Sequence, residues 1–162
     1  MLRKAILFSG GVICFAAYGL PQGDSHGIAG ADVIAARQAS LDMSAITFRS
    51  MGDAMKAGRE AKSQGYAAAS LAKWAKALPR MFPAGTGAGE TSAHTQALPA
   101  VWHDRAGFED AAADYALATG KLAGLAAVND AAGFTKQLDE VNKACNSCHA
   151  SYKAGDQGAP KK

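Results

Sequence analysis

Cysteine is scarce in this chain, with three residues in 162. One of them, Cys14, lies in an N-terminal stretch that reads as an export signal. The other two, Cys145 and Cys148, have no third thiol beside them, and once both are committed to one group no structural disulfide is left. No second Cys or His pair stands at metal-ligand spacing, so a structural zinc site lacks half its donors. A thioredoxin-like dithiol requires strands alternating with helices, and no useful length of sequence alternates apolar with polar residues. Excess charge is missing too. The chain has 17 basic and 14 acidic residues, and loss of Arg3 and Lys4 with the leader leaves about +1, which gives no electrostatic case for nucleic acid or an anionic membrane.

What is present begins with the leader. Arg3 and Lys4 precede an uncharged, mostly apolar stretch from Ala5 to Leu20 that is short and rich in Gly and Ser for a membrane span. Small residues at Ala17 and Gly19 permit cleavage after Gly19, and Ser25 and Gly27 permit a later cut before Ile28. Ile13 ahead of Cys14 disfavours lipid attachment. Residues 1–27 are therefore assigned to a signal peptide cut between about 19 and 27, the alternative being an uncleaved anchor. Residues 28–162 form one exported, periplasmic domain, and a mature length of about 135–143 residues suits a single core.

Four helices follow by hydrophobic spacing. From about Ala31 to Lys56, Ile34, Leu41, Phe48 and Met55 recur every seven residues with Met51 between them, which makes one apolar stripe. From about Arg59 to Met81, Leu71, Trp74, Leu78 and Met81 share a face, and Pro79 and Pro83 should end the helix. The stretch from Pro83 to about Val101 is the one long connection, either packed on the surface or mobile. The third helix, about Asp104 to Leu125, puts Phe108, Ala112, Tyr115 and Leu122 on one side. A short link leads to the fourth, about Ala131 to Lys153, and a polar tail from Gly155 follows. One long and two short connections predict an all-α, antiparallel four-helix bundle. Its Ala-rich helices allow close approach and a helix-to-helix homodimer.

The fourth helix carries the densest chemistry. Cys145-Asn146-Ser147-Cys148-His149 is a C-x-x-C-H sequence, which supplies what covalent attachment of haem c needs. Two thiols can add across the porphyrin vinyl groups, and the adjacent histidine can reach the iron from the same side. Phe134, Leu138, Val141, Cys145, Cys148 and Tyr152 step by four and three along this helix. Both cysteines therefore share the inward face, and one haem per chain bonded there must lie in the bundle core. His149 follows Cys148 by about 100° around the helix and can rise to the iron.

In combination these residues resemble the cytochrome c′ family of c-type cytochromes. The resemblance spans the mature chain: Asp32-Val33-Ile34 with Arg37-Gln38 in the first helix, Leu78-Pro79 closing the second, Val101-Trp102 before the third, Phe108 within it, and Cys145 to Lys153 at the end. It implies that Cys145 and Cys148 carry the thioethers and that His149 is the proximal iron ligand. Arg37 matches an arginine that lies close to a haem propionate in such proteins, the alternative being a solvated helix residue. Lys153 either tunes His149 or is simply solvated. In relatives with six-coordinate iron, a first-helix methionine binds at the position that aligns here with Leu41. Leucine has no lone pair to offer, so the resemblance implies an open, five-coordinate, high-spin haem.

Met43, about 200° around the helix from Leu41, should face away from the haem. Met51 and Met55 read as packing residues, and His94 and His103 as solvent-exposed. An open iron of this kind takes NO and CO and passes single electrons to a redox partner that the sequence does not identify. A dedicated electron carrier with six-coordinate iron is the alternative, with Met51, Met55 or His103 as the unforeseen ligand. No distal His with Arg or an acidic residue can be placed over the iron, so an enzyme is not expected.

Overall fold

The computed structural model describes residues 28–155; the signal-peptide assignment lies outside the described residues. The first helix, α1 (Gly30–Lys56), has Asp32 in its first turn and Lys56 in its last, each favourable to the helix dipole. It closes at Gly58, whose φ of 71° is a left-handed conformation that a side chain would strain. The second, α2 (Gly65–Ala77), is flanked by 3₁₀ turns at Ala61–Gln64 and Leu78–Met81. The single helix predicted from Arg59 to Met81 is thus divided, and at its C-terminal end Pro79 has no N–H to continue the α-helical ladder, so the chain tightens into the 3₁₀ turn that contains it.

One helical turn, α3 (Ala100–His103), interrupts the end of the long connection and leads into α4 (Arg105–Ala127). The Asp104 carboxylate caps α4 by accepting from the Gly107 N–H at 3.2 Å, and Asp130 caps α5 (Ala131–Tyr152) by accepting from Gly133 N–H at 2.8 Å. Between α4 and α5, Asn129 adopts φ 56° and its side-chain oxygen accepts from the Lys62 N–H at 2.9 Å. That contact fixes one end of the bundle. At the other end Arg105 donates to the carbonyls of Pro79 at 2.8 Å and Phe82 at 3.3 Å, so α2 and α4 run antiparallel.

The four long helices form the expected bundle, with unequal packing. Helix α4 lies in broad contact with α2 and with α5, whereas α1 meets α2 and α5 far more thinly. Leu71, Ala75, Phe108, Leu122, Phe134 and Val141 are buried in the thick half. An aromatic run closes its end: Phe82 to Phe108 at 5.0 Å and Phe108 to Tyr152 at 5.4 Å, both edge-on.

The long connection is packed rather than free. The Trp102 Nε1–H donates to the Pro83 carbonyl at 3.0 Å, and Gln38 Nε2 donates to that of His94 at 3.0 Å. Its far end pairs with the last residue of α5 and the chain just beyond, where Leu98 N–H meets the Tyr152 carbonyl at 3.0 Å and Ala154 N–H meets that of Gln96 at 2.8 Å.

Candidate functional site

Cys145 and Cys148 lie on the face of α5 that also presents Val141 and Tyr152 to the core. Both are free thiols, half-buried, and packed against the hydrophobic cluster. Burial pushes both thiols above their ordinary pKa, and the neighbouring Cys148 adds to the effect at Cys145. A redox dithiol needs the opposite shift, toward thiolate at neutral pH, so the environment disfavours disulfide-exchange chemistry. His149 is exposed on α5. Partial desolvation, followed by the charge of Lys153, lowers its pKa. This favours neutral imidazole, the form that binds a metal. Among the described residues no cluster of three His, Cys, Asp or Glu could hold a metal ion by itself.

Arg37 projects from α1 into the long connection and is only 1% exposed. The alternative of a solvated helix residue does not fit this burial. Its Nη1 donates to Thr86 Oγ1 at 2.9 Å and its Nη2 to the Thr86 carbonyl at 2.9 Å and Thr95 Oγ1 at 2.8 Å. The guanidinium also stacks 4.4 Å over the Phe82 ring. None of these partners is a carboxylate, so among the described residues a buried cation stands without a counter-charge. Desolvation lowers its pKa, yet a guanidinium stays protonated.

Leu41 lies one turn beyond Arg37 on α1, half-buried against the core cluster. Met43 is 67% exposed and Met51 fully buried, in accord with their expected outward and packing positions. Met55 is half-buried against the same cluster. His94 and His103 are both exposed.

At the upper end of α5, the Tyr152 hydroxyl donates to Asp104 Oδ2 at 2.8 Å. Gly107 makes room for this pair, since a Cβ there would lie 2.6 Å from the Tyr152 hydroxyl. Two features escaped the sequence reading. Thr86 and Thr95 hold Arg37 from 49 and 58 residues away, a separation that helical periodicity does not report. Trp74 Nε1 is buried without a hydrogen-bond partner, whereas its spacing marked it only as a packing residue.

These residues suit haem c. Two neutral thiols share one helical face, and that face packs against the hydrophobic core cluster. A buried cation lacking a carboxylate suits a group that brings anionic substituents, and an unpartnered buried N–H suits one that brings an acceptor. A hollow of about 410 Å³ lined by Asp114, Leu117, Lys121, Gln137, Lys143 and Ser147 lies in the outer groove between α4 and α5, wide open to solvent and mixed in charge. It is too open to enclose a ligand as a built site does.

A family model described as Cytochrome C' matches residues 32–153. A cytochrome c' of Rhodopseudomonas palustris is 33% identical over 141 residues, covering 82% of this chain and 88% of the relative. The crystal structure of cytochrome c' from Rubrivivax gelatinosus superposes with a TM-score of 0.69 at 29% identity, covering 76% of this chain and 96% of that one. A nitric oxide complex of a mutant of cytochrome c prime from Alcaligenes xylosoxidans has a TM-score of 0.71 at 21% identity, covering 80% and 99%, a likeness of fold.

Proposed function

The chain belongs to the cytochrome c′ family and carries covalent haem c, and from that premise we propose that it is an exported haem protein that binds NO and CO at an open iron site. Haem c supplies an iron that can take a diatomic ligand and exchange one electron. Cys145 and Cys148 tether the group, and their half-buried setting on α5 supports that role. His149 ligates the iron as neutral imidazole, the form that its surroundings favour. Arg37 offsets propionate charge, since it is a buried cation without a carboxylate partner.

The observation that carries the reading is the leucine at position 41. An alkyl side chain half-buried in α1 excludes water and offers the iron no lone pair. The six-coordinate alternative would take its ligand from Met51, Met55 or His103. Met51 is wholly engaged in packing and His103 is exposed, and neither arrangement favours that reading. That a neighbouring fold is known as a nitric oxide complex supports the choice of ligand. We place the protein in the periplasm, and among the described residues no helix is long and apolar enough to cross a membrane. A homodimer would use the outer face of α1, where Met43 is 67% and Ile46 64% exposed about one turn apart.

Mass spectrometry and NO titration test this together. Protein from a haem-competent host should gain the mass of one haem, lose it in the Cys145→Ser, Cys148→Ser double variant, and bind one NO per chain when reduced. An unmodified mass, or a reduced spectrum indifferent to NO, would overturn the reading.

A further inference from the structure

Helix α4 contributes a residue to the same site that neither the motif nor the resemblance assigns. Tyr115 is only 8% exposed and lies on the face of α4 that also buries Phe108 and Leu122. The direction of that face is fixed by the Phe108 ring, which meets the Tyr152 ring of α5 at 5.4 Å. Tyr115 follows Phe108 by seven residues, and Cys145 precedes Tyr152 by seven. The two helices are antiparallel, so both positions lie about 10.5 Å deeper into the bundle on the same facing surfaces. The juxtaposition of Phe108 with Tyr152 is thus repeated two turns on by Tyr115 with Cys145. In keeping with this, the Cys145 side chain lies within electrostatic range of the phenol; burial first, and then Cys145, raises the Tyr115 pKa, so the hydroxyl keeps its proton.

The two buried tyrosines differ in one respect. The Tyr152 hydroxyl is satisfied by Asp104 at 2.8 Å, whereas among the described residues the Tyr115 hydroxyl has no hydrogen-bond partner, only its backbone carbonyl being engaged by Thr119. A second orphan stands nearby in register. Trp74, with its buried and unpartnered Nε1, lies eight residues before Phe82, and Tyr115 lies seven after Phe108, two residues whose rings meet at 5.0 Å. Of these two donors the Trp74 N–H is fully buried, while the Tyr115 hydroxyl, without a partner among the described residues, is left free for an acceptor that the haem brings.

Resting on the haem reading above, we infer that Tyr115 is a positioning residue whose hydroxyl donates a hydrogen bond to an acceptor at the haem edge tethered by Cys145. The acceptor is either the thioether sulfur or a diatomic on the iron. An O–H dipole aimed at the haem stabilises the form with one more electron, so it raises the reduction potential.

Tyr115→Phe keeps the ring and removes only the donor. In the haem-loaded protein this variant should have a lower reduction potential than wild type, with the ferrous CO stretching frequency unchanged if sulfur is the acceptor and shifted upward if the bound diatomic is. Either pattern supports the inference and names the acceptor. An identical potential together with an identical CO stretch would overturn it while leaving the haem reading intact. Wild-type protein that lacks covalent haem would overturn both.

Discussion

The two halves of this bundle are built to different standards. Helix α4 packs broadly on α2 and α5 and buries Phe108, Ala112, Tyr115, Leu122 and Ala126 along its length. Helix α1 is longer, at 27 residues against 23, yet buries only Ile34, Arg37 and Met51, and its contact with α5 is thin. The thin half is not polar. Leu41, Phe48 and Met55 on α1, and Cys145 and Cys148 on α5, all pack partly buried against the core. Apolar side chains left half-covered around a thin contact are what a bundle shows when another group completes that side. Stability is thereby concentrated in one half, and the other is free to serve the haem.

If that division holds, mutations of similar chemistry should have different costs in the two halves. Phe108→Ala removes an aromatic that contacts Phe82 and Tyr152 in the tight half. It should destabilise the protein by about 4 kcal/mol in chemical denaturation. Leu41→Ala, on the thin side, should cost only about 1–2 kcal/mol because its side chain is half-covered, while CO association with the ferrous protein becomes faster. Equal losses from the two substitutions would erase the distinction.

Arg37 is the exception that holds the thin half in place. Arg37→Met keeps much of the apolar stem but strips the donors from Thr86 Oγ1, the Thr86 carbonyl and Thr95 Oγ1. The expected loss is about 2–3 kcal/mol, accompanied by faster backbone hydrogen exchange in the connection between residues 82 and 99. A variant as stable as wild type, with unchanged exchange, would show that α1 is not pinned through this cluster.

The smallest effect concerns the seam between α5 and the start of α4. The hydrogen bond to Asp104, with burial and nearby charge, pushes the Tyr152 phenol up to about 12 from 10.0. Because the folded pKa is the higher one, the stabilisation is fully present below about pH 10 and is lost as pH rises through about 12. Urea midpoints measured near pH 8 and near pH 11 should therefore fall more in wild type than in Tyr152→Phe. Parallel declines would mean that the pair contributes nothing to the alkaline limit.

The unequal halves also explain what could be read in advance. Helix α5 was legible almost to the residue, because Phe134, Leu138, Val141, Cys145, Cys148 and Tyr152 keep one regular step against a continuous partner. The cysteines and His149 stood out because their chemistry needs them adjacent in sequence. Leu41 was reached only by aligning the chain on Arg37 and Gln38. By contrast, the 3₁₀ turns on either side of α2, the short helix at Ala100–His103 and the folded path of the long connection follow from capping and from distant partners. The burial of Arg37 depends on two threonines that no local pattern links to it. Tyr115 looked like one more apolar contact, since spacing reports which way a side chain points and not whether its hydroxyl is satisfied.

The open iron site is tested most directly by the absorption spectrum of the reduced protein at neutral pH, before and after CO. A vacant position covered by Leu41 predicts a high-spin ferrous spectrum that converts fully to the CO complex. A low-spin ferrous spectrum that CO leaves unchanged would mean that a side chain already occupies the iron, and would contradict the account.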